Sequence, residues 1–423
     1  MADDNSPPQP EANNAFPALF LLTPMNPAYR EDPYAVLAEL RRASPALPDE
    51  SFGSVILTRY NDIRPLVSDR TLWRDGLRGD QAVIERRLGA EALAAALAGV
   101  RSETASILDL DDPDHARIRQ PLAQALYARV ATFRPEVERI VAETLDAIDA
   151  SGPFDLMTSF CVPIPIDVIA SILGVDQGRL AEFRAWSEGV IQVLNPFRNE
   201  EQTKAMEAAS AALNDYFTRL IGERKANPRD DLISDMTRLQ AGGLPVNDIE
   251  LRINLSALLI AGNLTTTDLI GNAVRLLLKN PAELAKLKGD PSLINALVEE
   301  VLRYEPPVDA TGRVASRDME VSGCPVKRKQ ALTLFLRAAN RDPEVFENPD
   351  VFDVTRAKKP HVAFGGGAHI CIGAPLARLE AQVALPRLFE RFANLRLADP
   401  DAPPTWRALP FFRGLERLDL RAD

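Results

Sequence analysis

Cys371 stands in an unusual setting. Three consecutive glycines, Gly365 to Gly367, precede it, and Gly373-Ala374-Pro375 follows and opens a helical stretch. Glycine suits a place where backbone must approach a flat object closely or turn with positive φ. A sulfur just before a helix N-terminus faces backbone N–H groups and the positive end of the macrodipole. Both stabilise a thiolate over a thiol, and the thiolate is the form that ligates a metal. Two other readings fit the loop by itself. One is a buried structural cysteine in a glycine-rich turn. The other is a phosphate cradle, although the Lys-Ser/Thr ending of a P-loop is missing. Neither accounts easily for Phe364, Gly367, His369, Cys371 and Gly373 together.

Three further groupings are spaced for joint action. His115 and Arg119 lie i,i+4, so one helix face brings both to a single anion; alone, the pair also fits a solvated face. Glu300 and Arg303 form an i,i+3 pair that would contribute only a few tenths of a kcal/mol as an exposed ion pair, about 0.2–0.5. Ala261, Gly262 and Thr265 share one face of an apolar helical stretch, which places a hydroxyl beside a shallow groove. Threonines at such positions also bond back to helix carbonyls.

The elements that must position these residues are mostly helical. Apolar periodicity marks 32–43, 90–100, 114–128, 135–150, 201–225, 248–278, 281–287, 293–304 and 374–393. β-like alternation is confined to 54–58, 319–321 and 331–335. The 33 prolines mark joints: Asp112-Pro113 reads as N-cap and first residue of a helix, and Pro306-Pro307 ends another. No linker divides the chain, so residues 26–423 read as one large, mainly α domain with small β-sheets, behind a mobile arm over residues 1–25. Net charge is −11 with acids and bases interspersed, which gives no electrostatic footprint for nucleic acid. The three cysteines, Cys161, Cys324 and Cys371, are far apart, arguing for a reducing compartment. The start carries acids and prolines where a signal peptide needs a basic segment, and its apolar run is too short to span a bilayer. The expectation is a cytoplasmic monomer with neither membrane nor nucleic-acid partners.

The segment from Phe364 to Gly373 resembles the haem-binding loop of cytochrome P450 enzymes of the soluble bacterial type, Phe-x-x-Gly-x-(His/Arg)-x-Cys-x-Gly. The resemblance extends over most of the chain, from about Asn26 to Leu420. It implies the P450 fold, with haem b (iron protoporphyrin IX) between a long distal helix and the cysteine-loop helix. It makes Cys371 the iron ligand, with Phe364 packed beside the sulfur and Gly365 also among the cofactor-binding residues. His115, Arg119, Arg313 and His369 become donors to the two haem propionates. Glu300-Val-Leu-Arg303 is similar to the family's Glu-x-x-Arg helix, with Arg356 as third member of a structural cluster. The implied activity is a monooxygenase that inserts one atom of O2 into a small organic substrate by hydroxylation or O-dealkylation. Electrons would come ultimately from NAD(P)H through a ferredoxin and its reductase, for which Arg117 and Arg378 are candidate docking residues.

The distal segment Ala261-Gly262-Asn263-Leu264-Thr265-Thr266 departs from the family's (Ala/Gly)-Gly-x-(Asp/Glu)-Thr-Thr pattern. Thr265 is kept, but Leu264 replaces the acid that starts proton delivery. Ordered water with Asn263 is one substitute route; Asp268, one turn beyond Thr265, is another. Loss of the acid also admits a hydrogen-peroxide-driven peroxygenase, and a haem sensor without turnover is a further alternative. The resemblance places the substrate pocket at Ile191, Leu194, Leu258, Val308, Asp309 and Phe411. There Asp309 either addresses a polar substrate group or pairs with a nearby arginine.

Overall fold

Capping residues set where the site-bearing helices begin. The computed structural model describes residues 18–98, 106–357 and 360–422. The helices that position the site are α1 (Pro33–Ala43), α2 (Asp114–Val130), α3 (Pro163–Leu173), α4 (Leu180–Val190), α5 (Glu200–Ala226), α6 (Asp248–Lys279), α7 (Ile294–Tyr304) and α8 (Ala374–Arg391). The Asp32 carboxylate accepts the first N–H groups of α1, and Pro33 presets its first turn. Asn247 and Glu250 exchange side-chain and backbone hydrogen bonds at 2.9 Å each, a capping box that starts α6.

Helix α6 is long and apolar enough to cross a membrane, but 67% of its most apolar stretch is buried inside the protein. It runs through the larger of the cores, where Leu255, Leu259, Ile270 and Val274 are fully buried against α3, α7 and α8. At about 1.5–3 kcal/mol for each large apolar side chain, such burial is the main stabilising term. The principal sheet contains β1 (Ala46–Asp49), β2 (Ser54–Leu57), β3 (Ala310–Val314) and β4 (Ala331–Phe335) in the order β1-β2-β4-β3. Strands β2 and β4 are parallel, with Ser54 opposite Ala331; the other pairs are antiparallel.

Several boundaries differ from the sequence reading. The arm expected over residues 1–25 is not free at its C-terminal part. Residues Ala18–Leu21 form a helical turn, Leu19, Leu22 and Thr23 are buried, and the Leu19 N–H donates to Asp49 Oδ2 at 2.8 Å. Apolar residues there pack on the sheet, which an acid- and proline-rich composition hides; residues 1–17 lie outside the described residues. Pro113 precedes α2 instead of forming its first residue, and the Asp112 carboxylate accepts the Ala116 N–H at 3.2 Å. The helix read over 135–150 is Arg134–Asp146, and beyond it Asp149 Oδ1 accepts the Ser151 N–H in a turn. The stretch read over 90–100 is helical over Ala90–Ala98, and its last two residues lie outside the described residues.

Candidate functional site

Cys371 lies in a turn that its neighbours leave little freedom. Its N–H donates to Phe364 O at 2.9 Å, and Gly365 and Gly367 adopt φ of 68° and 64°. A Cβ on Gly367 would stand 2.8 Å from the Ser68 Cα, so only glycine lets the loop rest on that backbone. The residue is open to solvent on one side. Its other sides are enclosed, and that burial pushes the thiol pKa up against the pull of the Gly373 and Ala374 N–H groups and Arg119. A metal bound by such a sulfur takes up the charge of its thiolate, the form that ligates. The Phe364 ring lies under the Arg378 guanidinium, 4.6 Å from ring centre to Cζ.

Beside the cysteine the fold collects basic side chains. The rings of His115 on α2 and His369 in the loop stack with centroids 4.1 Å apart. Arg119, one turn along α2, donates to Ile370 O. Arg313 on β3 is buried and donates to Val67 O and Gly312 O, both at 2.8 Å. Arg74 joins them, a residue no motif pointed to. Burial first, then the field of His115, Arg313, Arg74 and Arg119, lowers the His369 pKa to about 3. Burial and Arg74 bring Arg313 down to about 10. His115 Nε2 is buried without a hydrogen-bond partner. A cavity of about 130 Å³ lies among Trp73, His115, Arg313 and His369. A cysteine at a helix head beside mutually repelling arginines and an orphaned imidazole nitrogen fits a planar group with a metal and carboxylates. Haem has that chemistry.

On α6 three residues four positions apart share an open face: Ala261 is exposed and Ala257 and Thr265 are half-buried, while Leu258, Leu259, Ile260, Asn263 and Leu264 between them are buried. Thr265 Oγ1 donates to Ala261 O at 2.8 Å. Gly262 faces α3, where a Cβ would meet Ile169 at 3.1 Å. Leu264 is buried in the apolar core. Asn263 is turned to α4: its Nδ2 donates to Ser187 Oγ at 2.8 Å, and Arg184 donates to its Oδ1 at 3.3 Å.

Two acids named from sequence are engaged elsewhere. Asp268 is buried and bound by Arg407 at 2.5 Å, beside Gly414, instead of standing free to relay protons. Burial raises its pKa against the opposing charge of Arg407. A Cβ at Gly414 would fall 1.8 Å from Asp268 Oδ1. Gly414→Ala is therefore expected to cost about 1–3 kcal/mol of stability by overpacking, read from a denaturant midpoint. Asp309 takes the arginine partner its sequence setting offered: it is buried, with Arg337 at 2.5 Å and the Tyr29 hydroxyl at 3.2 Å. Of the other pocket candidates, Ile191 and Leu258 are buried, Val308 and Phe411 half-buried and Leu194 exposed.

The docking candidates are likewise compensated. Arg117 is held by Glu250 and Asp114 at 2.7 and 3.0 Å, and Arg378 by Glu299 at 2.6 Å. Behind the loop, Glu300 grips Arg303 through two 2.8 Å bonds and accepts from Arg356 Nε at 3.1 Å. Arg303 and Arg356 spend their remaining donors on carbonyls of Asn340, Glu347, Asn348, Pro349 and Val351.

Comparison with known proteins agrees in every register. The family model for cytochrome P450 matches residues 94–408. The chain is 39% identical to cytochrome P450 107B1 of Saccharopolyspora erythraea over 369 residues, 86% of this chain and 88% of that one. It is 36% identical to 6-deoxyerythronolide B hydroxylase of the same organism over 407 residues, covering 94% and 97%. The crystal structure of P450BioI in complex with an acyl carrier protein ligated to hexadec-9Z-enoic acid superposes with a TM-score of 0.83 at 32% identity, covering 93% and 99%. The cysteine loop, the helical architecture and these relatives agree: the chain belongs to the cytochrome P450 family, haem-containing monooxygenases of the oxidoreductase class that use O2.

Proposed function

We propose that this enzyme receives electrons from NAD(P)H through a ferredoxin and its reductase and inserts one oxygen atom into a small organic substrate by hydroxylation or O-dealkylation. The observation that carries the reading is Cys371, held at the head of α8 beside the cations Arg119 and Arg313 and the imidazoles of His115 and His369. Haem bound there supplies the reductive activation of dioxygen. Cys371 would hold the iron and supply a thiolate's electron density to it. Arg119 and Arg313, with the imidazoles of His115 and His369, would receive the propionates, whose charge would offset that of the arginines. Ala261 keeps that side of α6 low, and Thr265 holds a water through the hydroxyl lone pairs left by its bond to Ala261 O. That water passes protons in place of a carboxylate, since Leu264 has none and Asn263 and Asp268 are committed to α4 and Arg407.

Ile191, Leu194, Leu258, Val308 and Phe411 form the apolar boundary that excludes water from the substrate. The names of the relatives point to large, largely apolar substrates, of the size of a long acyl chain or a macrolide. Three unpaired cysteines suit a reducing cytoplasm. A protein expressed with ferredoxin, reductase and NADH should convert such a compound with incorporation of labelled oxygen from ¹⁸O2. Thr265→Ala should release several-fold more hydrogen peroxide per NADH consumed. The missing carboxylate at Leu264 favours one second reading, turnover driven by hydrogen peroxide. Product formed with peroxide but never with NADH and the redox partners would establish that reading instead.

A further inference from the structure

Residues 106–110 form a compact turn: the Asp109 and Leu110 N–H groups both donate to Ser106 O, at 2.9 and 3.1 Å, and Leu108 N donates to Ser106 Oγ. Two elements grip this turn from different sides. Buried Asn254 on α6 accepts the Ile107 N–H at 2.9 Å, three residues before the open stripe Ala257-Ala261-Thr265 begins. Arg74 donates from Nε to Leu108 O at 2.7 Å. The same guanidinium donates from Nη1 to Thr311 Oγ1 and Gly312 O, at 3.0 and 2.8 Å, next to Arg313. The Arg74 backbone N–H donates to Asp111 Oδ1 at 2.6 Å, just ahead of α2 and His115. At the apex, Leu108 is 46% exposed while Ile107 and Leu110 are buried.

Arg74 therefore touches both halves of the site. We propose that it is a positioning residue with two separable duties. Its planar fork fixes the turn that presents Leu108 beside the distal stripe, and its charge belongs to the cluster that faces the propionates. The proposal rests on haem ligation by Cys371. A planar fork with several donors can serve three acceptors in fixed directions, whereas lysine brings an equal charge without that geometry. A cation near the propionates favours the ferrous over the ferric iron, which carries one more positive charge. Substrate held by Leu108 and the potential of the iron would then be tied to one side chain.

Arg74→Leu and Arg74→Lys separate the duties. Hydrogen exchange of the Ile107, Asp109 and Leu110 amides is read by mass spectrometry, with haem and without it. The midpoint potential and the affinity for 4-phenylimidazole are read on the haem-loaded proteins. Arg74→Leu is expected to speed exchange in the turn about tenfold, in line with loss of a local constraint. It should also shift the potential negatively and weaken 4-phenylimidazole several-fold. Arg74→Lys should keep the parental potential and still exchange fast in the turn. Thr311→Val, which removes one acceptor and no charge, should speed exchange slightly and leave the potential alone. Parental exchange in Arg74→Leu overturns the clasp, and a parental potential overturns the electrostatic duty. The haem-free exchange tests the clasp alone, whereas a parent protein lacking the thiolate-type reduced carbon monoxide spectrum would sink the Cys371 reading itself.

Discussion

Cys371→Ser is expected to abolish the thiolate-type reduced carbon monoxide spectrum and to lower oxygen-dependent turnover by about three orders of magnitude, about 4 kcal/mol of barrier. The loop itself should survive. Serine is smaller by little, the Cys371 N–H to Phe364 O bond is made by backbone, and Gly365 and Gly367 keep their positive φ. What changes is the donor. A neutral hydroxyl gives iron far less electron density than a thiolate, and it has no charge for the Gly373 and Ala374 N–H groups to stabilise. The absorption spectrum and NADH-driven product formation, taken side by side, check this. A serine variant that retained parental turnover would remove Cys371 from the reaction.

Glu300→Ala should have the largest effect on stability. Glu300 and Arg303 are both buried, with side chains only 3% exposed, and Arg356 closes on the same carboxylate. Removing Glu300 leaves two guanidinium groups facing each other without an anion. Breaking a buried pair in this way costs about 3–5 kcal/mol, far above the few tenths assigned to an exposed i,i+3 pair. Because Glu300 Oε1 also accepts the Asp353 N–H at 3.0 Å, the segment from Asn348 to Arg356 should loosen along with it. Guanidinium chloride unfolding followed by haem absorbance measures both the stability and the release of haem. Glu300→Gln, which keeps the acceptor to Asp353 and loses the charge, should fall between the two.

The sequence was most legible where chemistry demands particular residue types at short spacing. Cys371 with its glycines, and His115 with Arg119, are such places, because one loop or one helix turn builds the constellation. Long amphipathic helices were equally readable, α6 above all, since capping and periodicity agree. Helix Tyr60–Ser68 carries Pro65 in its interior and so breaks the pattern that would announce it. The parallel pairing of β2 with β4 joins residues from opposite ends of the chain, which no local pattern encodes.

Partners distant in sequence decided between the readings left open for two acids. Asp268 sits on the face of α6 that a helical wheel gives to Thr265. Arg407, 139 residues away, takes it. Asp309 goes to Arg337 for the same reason. Arg74 was invisible because its acceptors lie 34, 37 and 238 residues away.

The chain has only three histidines. His115 and His369 form the stacked pair beside the cysteine, and His361 lies on the same loop, bonded to Glu299 at 3.2 Å and 6.1 Å from the Phe364 ring centre. Every imidazole in the protein therefore belongs to one neighbourhood. Isotopic labelling of histidine alone would turn a protein of 46.4 kDa into a spectrum of three side chains. Each resonance in it would report on the ground around the sulfur.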